Sequence, residues 1–358
     1  MNFYLVNGFL GSGKTTAIAN ACKLLTAQSM KVAVITNDQG AQQVDSAYMQ
    51  ALTLPNAEVV NGCFCCRYNE LEKAITALKI SAQPEIIFAE SVGSCTDLIA
   101  TIVKPFLLNH YKTRVVISVF ADACLLHSIM KGNACFIEDA IQYIYKKQLE
   151  EADILIINKT DLLEKEELLY VKQIIEASYP GKKIIFQNSY NENDLYNWLQ
   201  LLKTFTVPDH RCSLDIDYNT YASGEAALAW LDQKISIHTI NPVAADTALQ
   251  LTDSIYEKIK FAGYAIGHLK FLLSNDEWQQ KISYTTNYRK EQTIATVHNC
   301  KHIDLLINAR VQASPAQLQS LITNTIHEAM MQTGCRIVKH KASAFQPGYP
   351  KPVHRIAE

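Results

Sequence analysis

The chain is poor in glycine, in charge and in long apolar runs. Glycine numbers 13 among 358 residues, about half of average usage, which excludes collagen-like and low-complexity architectures. Charged residues make up 19% and the net charge is −2. With no long basic run, the sequence offers no footprint for a nucleic acid. No stretch approaches the ~18 apolar residues of a membrane span, and no internal repeat or heptad array is visible. No charged leader precedes the apolar run Phe3-Tyr4-Leu5-Val6, so the expectation is a cytoplasmic protein without an export signal. The scarcity makes placement informative. Three of the few glycines, Gly8, Gly11 and Gly13, crowd one short stretch.

What is present is a hydrophobic content of 48%, ordinary for a globular protein and, at this length, enough for about two domains. Over residues 1–203, short β-branched runs alternate with helix-like stretches, the pattern of a mainly parallel sheet covered by helices on both faces. Strands are expected at Phe3–Val6, Val32–Thr36, Glu58–Val60, Glu85–Ala89, Arg114–Phe120, Ile154–Ile157 and Lys183–Gln187. Helices are expected at Lys14–Thr26, Tyr68–Leu78, Cys95–Leu108, Ile137–Leu149, Lys165–Ser178 and Glu192–Leu202. Polar, turn-prone sequence at 204–224 reads as a linker. A smaller α+β domain follows at 225–341, with strands at Trp230–His238, Tyr264–Leu273, Gln280–Thr286 and Ile303–Val311, a helix at Val243–Lys260, and another opened by Ser314 and Pro315. Residues 342–358, with three prolines, read as a loose tail.

Gly8-x4-Gly13-Lys14-Thr15 lies between a strand and a helix, the context a phosphate loop requires. Backbone amides of Gly11, Ser12 and Gly13 and the following helix N-terminus would cradle a triphosphate. Lys14 would bridge the β- and γ-phosphates, Thr15 would bind Mg²⁺, and Thr16 would reach the α-phosphate. Glu90 and Asp38 end strands at the same edge. Glu90 could reach the magnesium through water, and Asp38 could bind it or orient the attacking water. Asp122 is a weaker candidate of the same kind. Asn158-Lys159-Thr160-Asp161 follows another apolar run. The Asp161 carboxylate can accept two hydrogen bonds from guanine and none from adenine at that position, while Lys159 can lie over the base and Asn158 can hold neighbouring loops.

Cysteine is not scarce: there are ten. Cys63, Cys65 and Cys66 follow a turn at Asn61-Gly62, and three thiols so close suit Zn²⁺, with Cu⁺ or Co²⁺ also open. Arg67 beside them favours thiolates. A redox pair and buried structural cysteines stay as alternatives. Cys22, Cys95, Cys124 and Cys135 read as core residues, and His298-x-Cys300-x-His302 as an exposed polar loop. A phosphate loop, soft metal ligands and a guanine motif in one domain point to GTP-driven metal handling.

In these motifs the chain resembles the CobW-like GTPases, relatives of the urease and hydrogenase nickel-insertion GTPases. The matching residues are Gly8–Thr16, Gly62–Cys66, Glu90 with Gly93, Gln148-x2-Glu151-Ala152-Asp153 and Asn158–Asp161. The resemblance implies a P-loop NTPase fold and a slow, Mg²⁺-dependent hydrolysis of GTP to GDP. It also implies binding of Zn²⁺, Co²⁺ or Ni²⁺ at the three cysteines and its delivery to a client apo-metalloprotein or cofactor pathway. Dimerisation on GTP binding is left open. Asn37-Asp38-Gln39-Gly40 replaces the family's Asn-Glu-Phe-Gly. Val92 stands where the family carries a hydroxyl, and Ser94-Cys95-Thr96-Asp97 replaces its Ala-Asp-Pro step. The C-terminal domain resembles the family's only loosely. Two other readings fit the phosphate loop: a small-molecule kinase or ATPase, and a nucleotide-bound metal or redox switch without turnover.

Overall fold

The structure, a computed structural model, describes residues 1–40, 44–133, 136, 138–286 and 299–358. They form two compact units: Met1–Gln39, Asp45–Gly224 and Tyr349–Glu358 in the first, Gly40–Val44 and Glu225–Gly348 in the second.

The first unit is a seven-stranded sheet of β1 (Asn2–Gly8), β2 (Val32–Asn37), β3 (Asn56–Val59), β4 (Ile86–Glu90), β5 (Arg114–Asp122), β6 (Ile154–Asn158) and β7 (Lys183–Gln187). The order is β3-β2-β4-β1-β5-β6-β7, and every pairing is parallel. The central strands are apolar and buried along nearly their whole length, as both faces of such a sheet are covered. Along the chain the helices are α1 (Lys14–Ala27), α2 (Val44–Ala51), α3 (Tyr68–Ser81), α4 (Lys104–Asn109), α5 (Ala123–Met130), α6 (Asp139–Glu150), α7 (Lys165–Ser178), α8 (Glu192–Thr204) and α9 (Tyr218–Ala226). Parallel register has a direct consequence. Val6 pairs with Glu90, Gly8 with Phe120 and Asp122 with Asn158, so the ends of β1, β2, β4, β5 and β6 and the turns after them share one rim.

The second unit is antiparallel. β8 (Ala229–His238), β9 (Ile266–Ser274), β10 (Gln279–Tyr284), β11 (His302–Val311) and β12 (Arg336–Phe345) run in the order β10-β9-β11-β8-β12. Alternate residues such as Ile235, Ile237, Ile303, Leu305 and Ile307 form one core with Leu251 and Ile255 of α10 (Ala244–Phe261) and Leu318 and Ile322 of α11 (Pro315–Thr333). Ser314 caps α11 through a reciprocal bond pair with Gln317. Among the described residues no helix is long and apolar enough to cross a membrane.

Three expectations are corrected. Residues 204–224 are not all linker: α8 runs to Thr204, α9 opens at Tyr218, and the segment belongs to the first unit. The segment 342–358 is not loose. Ala342 to Phe345 complete β12, and from Tyr349 the chain binds the first unit, Val353 N–H donating to Cys65 O at 2.9 Å and Ile356 N–H to Ala100 O at 2.9 Å. The helix expected from Cys95 opens only at Ile99, with a wide π turn to Val103, because Asp97 stands in the left-handed region (φ 65°).

Candidate functional site

The phosphate loop leaves β1 at Gly8 (φ 133°) and enters α1 at Lys14. A Cβ on Gly8 would meet Phe120 O at 2.1 Å, and one on Gly13 (φ 92°) would meet Asn158 Nδ2 at 2.3 Å, so both positions exclude a side chain. Lys14 folds over the loop, Nζ donating to Gly8 O at 2.6 Å and Phe9 O at 3.3 Å. The Ser12 hydroxyl is buried without a hydrogen-bond partner in the described structure. A glycine cradle, a folded-back lysine and an orphaned hydroxyl fit the phosphates of a nucleotide.

Thr15 Oγ1 donates to Glu90 Oε1 at 2.8 Å, both residues buried. A hydroxyl and a carboxylate already side by side suit a hard cation such as Mg²⁺. Thr16 follows in the first turn of α1. Asp38, just beyond β2, donates its N–H to Val59 O at 3.3 Å. Asp122 does structural work: its carboxylate caps α5 through the N–H groups of Cys124 and Leu125 and pairs with Lys159 Nζ at 2.6 Å.

The guanine motif sits on the same rim. Asn158 Nδ2 donates to Ser12 O at 2.8 Å, and its Oδ1 accepts from Ser189 Oγ at 2.7 Å. Lys159 is left-handed (φ 64°), and Asp161 lies in a short turn with its side chain exposed to solvent. Ser189, in the turn after β7, is a residue the sequence reading missed. Nothing in Asn188-Ser189-Tyr190 distinguishes it from an ordinary loop.

The cysteine turn lies between β3 and α3, near the α3 N-terminus. Asn61 (φ 59°) and Gly62 (φ 149°) make the bend. Asn37, last residue of β2, holds it: Nδ2 donates to Val59 O at 2.9 Å and Gly62 O at 2.8 Å, and Oδ1 accepts from Phe64 N–H at 2.8 Å. Sγ of Cys63, Cys65 and Cys66 all lie within 4.8 Å of one another, the one group of at least three such ligands among the described residues. Hydrogen bonds from Cys65, then Cys66 and Cys95, hold the Cys63 thiol well below its usual range despite its burial. Cys65, 2.7 Å from Cys63 Sγ, is pushed the other way, well above its usual range, by its bonds to Cys63, Cys66 and Cys95 and by burial. Lys351 N–H also donates to Cys66 Sγ at 3.2 Å. Arg67, expected to favour thiolates, instead directs Nε to Asn61 O at 3.2 Å and so braces the turn.

Cys95 is not simply a core residue, since its thiol bonds to Cys63 and Cys65. Cys135 and His298 lie outside the described residues. His302 opens β11 and stacks on His238 with ring centroids 4.6 Å apart. Cys300 is half-buried beside Val243.

The segment after Cys95 holds a buried acid, Glu151, which accepts from Ile99 N–H at 3.1 Å and Thr96 Oγ1 at 3.2 Å. Burial, outweighing those bonds, pushes its carboxyl from 4.5 up to about 8. The folded form therefore holds a proton between those pH values that the unfolded chain releases, so this group's contribution declines as pH rises from 4.5 to about 8. Glu151→Gln should leave stability at pH 4 unchanged and raise it at pH 9. At about 1.36 kcal/mol per pH unit, the ceiling is about 5 kcal/mol. Urea melts at the two pH values check this.

A family model described as CobW/HypB/UreG, nucleotide-binding domain, matches residues 2–186. The chain is 26% identical over 205 residues to the zinc chaperone CobW of a Sinorhizobium species, covering 51% of this chain and 57% of that one. It is 29% identical over 172 residues to the zinc chaperone YjiA of Escherichia coli K12, covering 46% and 51% respectively. The chain thus spans about half the length of the curated relatives it matches. Among solved structures, HypB from Helicobacter pylori in complex with nickel aligns with a TM-score of 0.43 and 17% identity, over 59% of this chain and 91% of that one.

Proposed function

We propose that this chain, which belongs to the CobW/HypB/UreG family, is a GTP-hydrolysing metallochaperone of the cytoplasm that holds Zn²⁺ or a similar ion on Cys63, Cys65 and Cys66 and passes it to a client apo-metalloprotein. Lys14 and the loop amides hold the β- and γ-phosphates. Thr15 and Glu90 hold Mg²⁺, which when bound neutralises charge on the phosphate oxygens. Asp38 orients the attacking water, Asp161 selects guanine, and Asn158 ties the base loop to the phosphate loop. The observation that carries this reading is Asn37. Its amide grips the cysteine turn from both sides, and the next residue, Asp38, follows directly on the end of β2. Release of phosphate that relaxes Asp38 therefore pulls on the metal ligands. The relatives' designation as zinc chaperones supports zinc as the cargo.

Two measurements test it. Metal analysis of protein purified without added metal should find zinc, with different retention in the GTP-analogue and GDP forms. Nucleotide competition should show GTP bound far better than ATP, with Asp161→Ala erasing about 10²-fold or more of that preference. Tighter ATP binding, indifferent to Asp161→Ala, would hand the chain to the kinase or ATPase reading.

A further inference from the structure

The three clustered cysteines leave a tetrahedral ion one ligand short. The backbone N–H of Lys351, 3.2 Å from Cys66 Sγ, is a donor and cannot fill the gap. A candidate comes from the loop after β4. Cys95 is buried, and its thiol hydrogen-bonds with both Cys63 and Cys65, although it lies outside the mutually close trio. It thus approaches the trio from the side of Cys63 and Cys65.

The loop that carries it is anchored at every step. Glu90 accepts from Thr15 of the phosphate loop. Gly93 packs so tightly on that loop that a Cβ there would meet Leu10 N at 2.9 Å. Gln148 of α6 donates through Nε2 to Gly93 O at 3.0 Å and Cys95 O at 2.8 Å. Cys95 N–H closes a turn onto Val92 O at 3.0 Å. Asp97, at the far end, accepts from Tyr218 and from Arg355, each at 2.7 Å. Anchors on both sides hold the backbone that carries Cys95, and its buried thiol bonds to the sulfurs of Cys63 and Cys65.

We propose that Cys95 is the fourth thiolate of the metal site, supplied by the loop that begins at Glu90. The proposal rests on the reading that the trio carries the metal. On loading, the thiols surrender their protons to solvent and each sulfur gives an electron pair to the ion, with no change of oxidation state. Because Glu90 and Cys95 share one short loop, the ligand count of the metal is tied to the residue that senses magnesium and phosphate.

The test compares zinc-loaded wild type with Cys95→Ser and, as a control, Cys212→Ser, whose exposed cysteine lies outside the cluster. X-ray absorption should count four sulfurs at about 2.3 Å from zinc in wild type and the control, and three plus a lighter atom in Cys95→Ser. Chelator competition should show Cys95→Ser binding zinc at least about tenfold more weakly. Should Cys95→Ser fold poorly, alkylation of wild type replaces it: Cys95 reacts in the metal-free protein under mild denaturant and is protected by zinc. Three sulfurs in wild type, with Cys95→Ser equal in affinity or Cys95 unprotected, overturns the fourth ligand while leaving the trio standing. Wild-type protein that takes up no zinc removes the parent reading, and this one with it.

Discussion

Lys14→Ala should reduce GTP turnover by about 10³-fold, the loss seen when one preorganised charge at a reacting oxyanion is removed. The size follows from where the ammonium sits. It is 5% exposed and spans the mouth of its own loop, bonded to Gly8 O and Phe9 O. In that position it is largely desolvated, so a phosphate that draws it off the two carbonyls meets a charge little screened by water. Alanine removes the charge and also the two bonds that curl the loop. The fold should nonetheless survive, because the loop is independently held by Asn158 Nδ2 on Ser12 O and by Gly93 against Leu10. Single-turnover phosphate release gives the rate, and a thermal melt without nucleotide separates lost catalysis from lost structure. A Lys14→Ala protein that turns over within threefold of wild type would refute the role assigned to this lysine.

The sequence made the first unit legible for a physical reason. Its central strands are buried on both faces and read as unbroken apolar, largely β-branched runs, so Val32–Thr36 and Ile154–Ile157 appear within one residue of β2 and β6. What it hid were elements defined by partners remote in sequence. α5 is short and follows directly on β5, its start fixed by the Asp122 cap, a role invisible until Cys124 and Leu125 are seen to donate to it. β12 mixes lysines and a histidine with only a few apolar residues, and it becomes a strand by pairing with β8 across about a hundred residues. The segment from Tyr349 is rich in proline and offers no period, yet Val353, Arg355 and Ile356 each find a partner in the first unit. In the candidate site, the motifs announce themselves because backbone geometry restricts residue type at Gly8, Gly13 and Gly62. Cys95 and Ser189 carry no such restriction, and only the folded loop brings them to the rim.

The triple variant Cys63→Ser/Cys65→Ser/Cys66→Ser should lose its zinc outright, a fall in affinity of at least about 10⁴-fold, since bound structural zinc accounts for about 10–16 kcal/mol in thiolate-rich sites. Cys95 alone cannot retain the ion. Serine is close in size to cysteine and can rebuild hydroxyl hydrogen bonds among the three positions, so burial at Cys63 and Cys65, 3% and 2% exposed, does not by itself demand unfolding. The Lys351 N–H keeps an acceptor at position 66. The bend survives as well, because Asn37 grips Val59, Gly62 and Phe64 through backbone atoms that the substitutions do not touch. Zinc should therefore raise the melting temperature of wild type by mass action and leave that of the variant unmoved, while GTP affinity, set on the far side of Asn37, stays within about threefold of wild type on the same reasoning. Equal zinc per chain in the two proteins would take the cysteine turn out of metal handling. Loss of GTP binding together with zinc would instead mean that the turn is a structural support of the nucleotide rim, and the coupling through Asn37 would have to be read as packing alone.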